Sequence, residues 1–418
     1  LKTCKACHRL FPDDGSFCPI DGQALVGTAE AEPPADPEDK RVGSKLCGGR
    51  YQIWRRVADG GMGRVYQALD TQQERSVALK ILHPDVAQDA VSVERFKREF
   101  ECSAALPHDY IVEVLAFEKT EDQSYALVME YLEGEELRTL LKRDKTLPPA
   151  RVVRMTSQAA IALGAAHERK IVHRDMKPDN VFLCGSRDGD LCKILDFGSV
   201  RDNSAGAKKL TVMGTTIGSP FYMSPEQAQA LPELDHRADV WSMAAIVYEC
   251  LTGTLPFKGN TGPAILLAIL SNDPPPPSEA GKAQKVPATV DPVIEEALAK
   301  NAGIRTATMS ALADKLGKAY GLEGTHLDWA RTPEKAIAER IEAGLPAALE
   351  RYQAEVAAKP VGAGMDDAFK AGSEGGPAGT AFSEDLVMGV PSGPPKWIYA
   401  VVAGAVLLGA VVAFLIVR

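Results

Sequence analysis

The chain has 418 residues, 45% of them hydrophobic and 25% charged, and a formal net charge of −9. That is enough apolar material for a two-lobed domain with appendages. The acidic balance, without a basic run or an aromatic-studded basic face, argues against nucleic acid as a partner.

At the N-terminus, Cys4-Lys5-Ala6-Cys7 and Phe17-Cys18-Pro19-Ile20-Asp21-Gly22 read as two turns that present ligands to one metal, in the pattern Cys-x2-Cys-x10-Cys-x2-Asp. Cys4, Cys7 and Cys18 are the candidate thiolates, and the fourth ligand is Asp21, His8 or water. Residues 1–25 resemble a degenerate zinc ribbon whose last cysteine has become aspartate, which implies a structural Zn2+. A fragment this short needs such a staple to fold; the plain alternative is a reduced tail with incidental cysteines. The other cysteines, at 47, 102, 184, 192 and 250, show no framework spacing, as suits a reducing cytoplasm. Residues 26–48 are rich in Ala, Glu, Pro and Asp and are expected to form a disordered linker.

Residues 49–320 carry the chemistry. Two strand-like stretches, 51–57 and 65–69, flank Val57-Ala58-Asp59-Gly60-Gly61-Met62-Gly63-Arg64-Val65, a glycine-rich tip whose backbone N–H groups can close over phosphates. Val77-Ala78-Leu79-Lys80 reads as a strand delivering a cation to those phosphates. Phe96, Phe100 and Ala104 follow helical spacing, and Glu99 on that helix can pair with Lys80. His173-Arg174-Asp175-Met176-Lys177-Pro178-Asp179-Asn180 then sets an acid, a cation and a metal-ligating amide on one loop. A hydroxyl attacking a phosphate needs a carboxylate to orient it, here Asp175, and a cation to absorb charge, here Lys177. Downstream, 191–195 reads as a strand running into Asp196-Phe197-Gly198. Asp196 and Asn180 offer the hard oxygen ligands that Mg2+, or Mn2+ in its place, requires.

With these parts in this order, residues from about 51 to about 316 resemble a protein kinase catalytic domain of the bacterial eukaryotic-like serine/threonine type. The resemblance implies an α+β bilobal fold with a β-rich N-lobe and a helical C-lobe. It further implies ATP as phosphate donor and proteins with Ser/Thr acceptors as substrates. Lys177 is the serine/threonine form of its position. By the same likeness Met129 is the gatekeeper, the backbone at Glu130 and Leu132 meets adenine, and Val65, Ala78 and Phe182 enclose the ring. Glu226 belongs to Ser-Pro-Glu, Arg305 is its partner, and Asp239 holds the catalytic loop from behind. Arg174 can meet a phosphate on the activation loop, where Thr211, Thr215 and Thr216 are candidates for phosphorylation. Three departures stand out: Ala58 where a glycine is usual, Ser219 where threonine is usual, and Ala244-Ala245 where a glycine is common. None removes Lys80, Asp175 or Asp196, which favours an active enzyme over a low-activity pseudokinase scaffold. Pairing of two kinase domains as a homodimer is left open.

Residues 321–359 have helical spacing and are expected to form one or two amphipathic helices, and 360–395 a second disordered linker. Residues 396–418 contain Trp397–Val417, twenty-one residues without a charge, long enough to span a bilayer as a single transmembrane helix. No secretion signal is visible at the start. The expectation is a single-pass protein of the cell membrane with the kinase domain on the cytoplasmic side, either tail-anchored or continuing beyond Arg418.

Overall fold

Residues 1–28, 31, 35–197 and 220–358 are described by the computed structural model of the protein. The N-terminal segment forms a small antiparallel sheet from β1 (Lys2–Thr3), β2 (Leu10–Phe11) and β3 (Val26–Gly27), in the order β2-β1-β3. Next come β4 (Lys45–Leu46), β5 (Tyr51–Asp59), β6 (Gly63–Asp70), β7 (Arg75–Leu82), helix α1 (Ala90–Ala104), β8 (Val114–Lys119) and β9 (Tyr125–Glu130). The six strands make one antiparallel sheet in the order β4-β5-β6-β7-β9-β8.

Strand alternation divides this sheet's residues between two faces. Tyr66, Ala68, Val77, Leu79 and Ile81 share one face and pack with Tyr51, Ile53 and Val128. Leu82 and Leu127 meet Phe96 of α1 in a second, smaller cluster. Helix α1 begins where the Asp89 carboxylate accepts from the Ser92 amide, a side-chain cap on an otherwise orphaned donor.

The second lobe contains β10 (Gly134–Glu136), α2 (Leu137–Asp144), α3 (Pro149–Glu168), β11 (Val181–Ser186) and β12 (Gly189–Ile194). It continues with α4 (Pro225–Ala228), α5 (Arg237–Thr252), α6 (Gly262–Ser271), α7 (Pro277–Ala280), α8 (Asp291–Ala297) and α9 (Met309–Ala319). Helix α5 is buried almost all round, as expected where apolar residues cover the whole helix surface rather than one stripe. Together with α3 it centres the large core of this lobe.

Two further helices, α10 (His326–Arg331) and α11 (Glu334–Ala358), pack onto α3 and α9 rather than standing in solvent. Trp329 is fully buried against Gly317, where an added Cβ would lie 2.1 Å from the indole. Gln158 and Arg154 of α3 donate to the carbonyls of Ala330 and Thr332.

The expected linker over 26–48 is structured wherever it is described. Val26–Gly27 is a strand, and Val42 and Leu46 join the larger N-lobe core cluster. Asp39 is buried, accepting from the Tyr66 hydroxyl at 2.8 Å, with Arg64 at 3.5 Å and Arg56 at 3.8 Å. Composition concealed this because a few well-placed residues suffice to dock an otherwise polar segment. Residues 29–30, 32–34 and 359–418, including Trp397–Val417, lie outside the described residues. Among the described residues no helix is long and apolar enough to cross a membrane.

Glu226 on α4 and Arg305 close the second lobe with a paired contact, Nη1 to Oε1 at 2.7 Å and Nη2 to Oε2 at 2.9 Å. Arg305 also donates to the carbonyls of Ala299 and Arg237, so the buried guanidinium is well satisfied. Burial works against ionisation of Glu226, but Arg305 outweighs it and holds the carboxyl below its ordinary range. The pair's stabilisation is therefore full above the unfolded glutamate pKa of about 4.3 and is lost as pH falls through the lower folded value. Arg305→Ala, which strands the acid, is expected to cost about 3 kcal/mol in urea unfolding at neutral pH and to reduce this acid-side loss. An unchanged midpoint would show the pair to be dispensable.

Candidate active site

Register places Lys80 opposite Val65 and Ala78 opposite Gln67 and Met129, so all of these share the sheet face turned toward α1 and the second lobe. From there Lys80 Nζ donates to Glu99 Oε1 of α1 at 2.8 Å and to Asp196 Oδ1 at 2.9 Å. Burial disfavours a charged amine, but Asp196 and Glu99 together hold Lys80 protonated, above the ordinary lysine value. The two acids part company. Burial pushes Asp196 up, yet Lys80 outweighs it and brings the carboxyl to about 2, whereas burial prevails at Glu99 and shifts it upward.

The loop carrying Asp175 is held from beneath by Asp239, fully buried at the start of α5. Asp239 Oδ2 accepts from the His173 amide at 2.9 Å and Oδ1 from the Arg174 amide at 2.8 Å; His167 Nε2 lies 2.8 Å from Oδ2. Burial opposes its ionisation, but His167 and the amides keep Asp239 below the usual carboxylate range. These bonds hold Arg174 in a left-handed conformation, φ 66°, that a non-glycine residue rarely adopts. His173 Nε2 sits 2.8 Å from the Leu195 carbonyl and its ring packs edge-on to Phe197, so one support positions both Asp175 and Asp196.

Asp175 receives Lys177 Nζ at 2.7 Å and Asn180 Nδ2 at 3.3 Å, yet its side chain remains 43% exposed and open to the cleft. Asn180 Nδ2 also donates to the Asp175 carbonyl at 2.6 Å, so its amide oxygen is the atom that could face a cation. The Leu195 amide donates to the Asn180 carbonyl, tying Asn180 to the segment that carries Asp196. An amide oxygen and an ionised carboxylate on joined segments suit Mg2+ or Mn2+.

In the glycine-rich tip, Gly63 is the residue whose missing side chain matters most. A Cβ there would lie 2.2 Å from the Ile81 carbonyl oxygen, whereas one on Gly61 would meet nothing within 4 Å. Ala58 lies exposed on β5 opposite Val65, so its methyl is tolerated, and Val57 and Met62 are also exposed. Asp59 is taken by Arg64 at 2.8 Å, and the Gly60 amide donates to the Gly63 carbonyl. Phe182 on β11, Met129 and Leu132 are half-buried around the same cleft face. The Glu130 amide is used within the sheet, donating to Glu113.

Four contributors carry no sequence signal, because each is defined only by a tertiary meeting. His83 lies 2.8 Å from the Gly60 carbonyl, and its amide donates to Met62, fastening the tip. Arg138 joins Asp179 at 3.2 Å to Glu249 and to the Tyr222 hydroxyl. Gln227 Nε2 donates to the Arg174 carbonyl at 2.6 Å, and Lys193 Nζ to Glu130 at 2.6 Å. Gly198, Thr211, Thr215, Thr216 and Ser219 lie outside the described residues. At the N-terminus the structure brings together Cys4, Cys7, Cys18 and Asp21, not His8.

Residues 51–316 match the protein kinase domain family. Serine/threonine-protein kinase pkn3 of Myxococcus xanthus is 35% identical over 281 residues, 66% of this chain and 51% of that protein. Serine/threonine-protein kinase PknD of Mycobacterium tuberculosis is 36% identical over 273 residues, 65% of this chain and 40% of that protein. The chain thus spans about half, or less, of the length of these curated relatives. A crystal structure of the M. tuberculosis PknI kinase domain superposes with a TM-score of 0.52 at 26% identity, covering 67% of this chain and 98% of that one.

The contrast within the glycine-rich tip is directly testable. Gly63→Ala forces β6 away from β7 and is expected to destabilise the N-lobe by about 1–3 kcal/mol, read as faster amide exchange in both strands. Gly61→Ala is expected to leave exchange unchanged. Equal behaviour of the two variants would remove the steric account.

Proposed function

The chain belongs to the protein kinase family, and on that premise we propose that it transfers the γ-phosphate of ATP to serine or threonine hydroxyls of proteins. The observation that carries this is the Lys80 ammonium held between Glu99 and Asp196, with Asp175, Lys177 and Asn180 on one supported loop across the cleft.

Each residue has a distinct task. Lys80 grips the α- and β-phosphates and is itself kept in position by Glu99. Val57 to Gly63, with Val65, Ala78, Met129, Leu132 and Phe182, cover the nucleotide, and the Glu130 carbonyl and Leu132 amide meet adenine. Asp175 orients the acceptor hydroxyl and takes its proton as the new oxygen–phosphorus bond forms and the bond to ADP breaks. Lys177 offsets charge on the transferred group. Asn180 and Asp196 would hold Mg2+ or Mn2+, which would neutralise further charge on the phosphate oxygens.

The same reading extends to the parts outside the cleft. Phosphorylation at Thr211, Thr215 or Thr216 would bring negative charge toward Arg174 and order the activation loop. Trp397–Val417 anchors the protein in the cell membrane with the kinase domain on the cytoplasmic side; its length and lack of charge support this. Cys4, Cys7, Cys18 and Asp21 hold a structural Zn2+.

Incubation with ATP, Mg2+ and a basic protein substrate is expected to give phosphoserine or phosphothreonine. Asp175→Asn should reduce the rate at least about 100-fold. Equal incorporation by the variant would overturn the assignment, and site mapping of the wild type identifies which threonine is modified.

A further inference from the structure

The N-terminal cluster is built from one turn used twice. In the first, the Ala6 amide points at Cys4 Sγ at 3.4 Å, the His8 amide donates to the Cys4 carbonyl at 2.9 Å, and His8 is left-handed at φ 54°. In the second, the Ile20 amide points at Cys18 Sγ at 3.4 Å, the Gly22 amide donates to the Cys18 carbonyl at 2.9 Å, and Gly22 is left-handed at φ 72°. Asp21 therefore occupies the place in its turn that Cys7 holds in the other. The four donor atoms lie within 4.8 Å of one another, with Cys7 and Cys18 sulfurs 3.6 Å apart and Cys4 Sγ 3.1 Å from Asp21 Oδ2. Tetrahedral zinc with bonds of about 2.0–2.3 Å sets its ligands roughly 3.3–3.8 Å apart. All three cysteines are free thiols.

This small sheet does not stand apart from the kinase lobe. Gln67 is a polar residue with no exposed surface, on the sheet face that also bears Ala78 and Lys80. Its Nε2 donates to the Leu10 carbonyl of β2 at 3.3 Å and to Ser76 Oγ at 3.0 Å. Its Oε1 accepts from Arg55 Nε at 2.9 Å, and Arg55 Nη2 donates to the Tyr131 hydroxyl at 2.6 Å. Tyr131 lies between Glu130 and Leu132, the pair read above as the adenine edge. At the other end, the Cys4 amide donates to the Arg9 carbonyl, one residue before Leu10. A continuous polar chain thus runs from a metal ligand to the hinge of the nucleotide cleft.

We propose that zinc held by Cys4, Cys7, Cys18 and Asp21 controls nucleotide affinity by pinning Leu10 to the Gln67–Arg55–Tyr131 chain. The inference rests on the readings of this cluster as a zinc site and of the cleft as an ATP site. A unit this small loses its fold with its metal. The Leu10 carbonyl then leaves Gln67, a buried amide loses a partner, and Arg55 no longer fixes Tyr131 beside Leu132.

The test uses the full chain, with zinc content measured by atomic emission and affinity by titration of a fluorescent ATP analogue. We expect one zinc per chain, a nucleotide Kd that weakens about fivefold on chelation, the worth of one buried hydrogen bond, and recovery on adding zinc sulfate. Gln67→Leu should keep its zinc, bind nucleotide about fivefold more weakly and lose the zinc dependence. This variant carries the test if the stripped chain unfolds. Absence of zinc overturns the site and the inference with it. One zinc per chain in the untreated protein, together with an unchanged Kd in the stripped protein or in Gln67→Leu, overturns the coupling and leaves the metal site standing. Failure of every form to bind nucleotide overturns the ATP reading first.

Discussion

One ammonium group between two carboxylates holds the cleft in register. Lys80 comes from β7, Glu99 from α1, and Asp196 from the segment after β12 in the other lobe, so this contact fixes three elements at once. Withdrawing Lys80 and Glu99 from water is costly, and two acids against one base leave an excess of negative charge. A purely structural contact would be better served by apolar packing. Such a cluster makes sense where further cations and phosphates complete the balance. The same charge economy explains why Asp196 is held ionised while Glu99 is drawn toward protonation: the base cannot fully compensate both.

The second organising acid works through backbone rather than side chains. Asp239 accepts two successive amides of the loop, and that pair of bonds is what bends the chain at Arg174 and aims Asp175. Because His173 also reaches Leu195 and Phe197, a change at Asp239 is felt by both carboxylates of the cleft. Gln227 and Arg138 extend this support toward the elements that follow the undescribed segment 198–219, which links the loop to α4 and α5.

Most of this centre is legible in the sequence because its residues sit on short contiguous motifs whose order mirrors their chemistry. Lys80, Glu99, Asp175, Asn180 and Asp196 each follow from a pattern of a few residues. His83, Arg138, Lys193 and Gln227 do not, since their partners lie far away along the chain and nothing local marks them. The 26–48 segment fails for a different reason. Its average composition is that of a disordered linker, but docking is decided by particular residues, Asp39, Val42 and Leu46 among them, with Arg41 on Asp122 and the Cys47 and Gly48 amides on Glu121. The repeated turn at Cys4 and Cys18 is half legible: spacing offers Cys4, Cys7 and Cys18 with Asp21, His8 or water as the fourth donor, whereas the matching turn hydrogen bonds that set Asp21 in the place of Cys7 appear only in the structure.

The N-terminal additions also bear on how the smaller lobe holds together. Its two apolar clusters are modest beside the core around α3 and α5, and a small core leaves a lobe marginal unless other elements cover it. Here the covering comes from both sides of the same sheet. Val42 and Leu46 close the face that bears Tyr66 and Leu79, and Leu10 meets Gln67 on the face that bears Lys80. Leu10, Asp39, Val42 and Leu46 therefore pack as part of the sheet that presents Lys80.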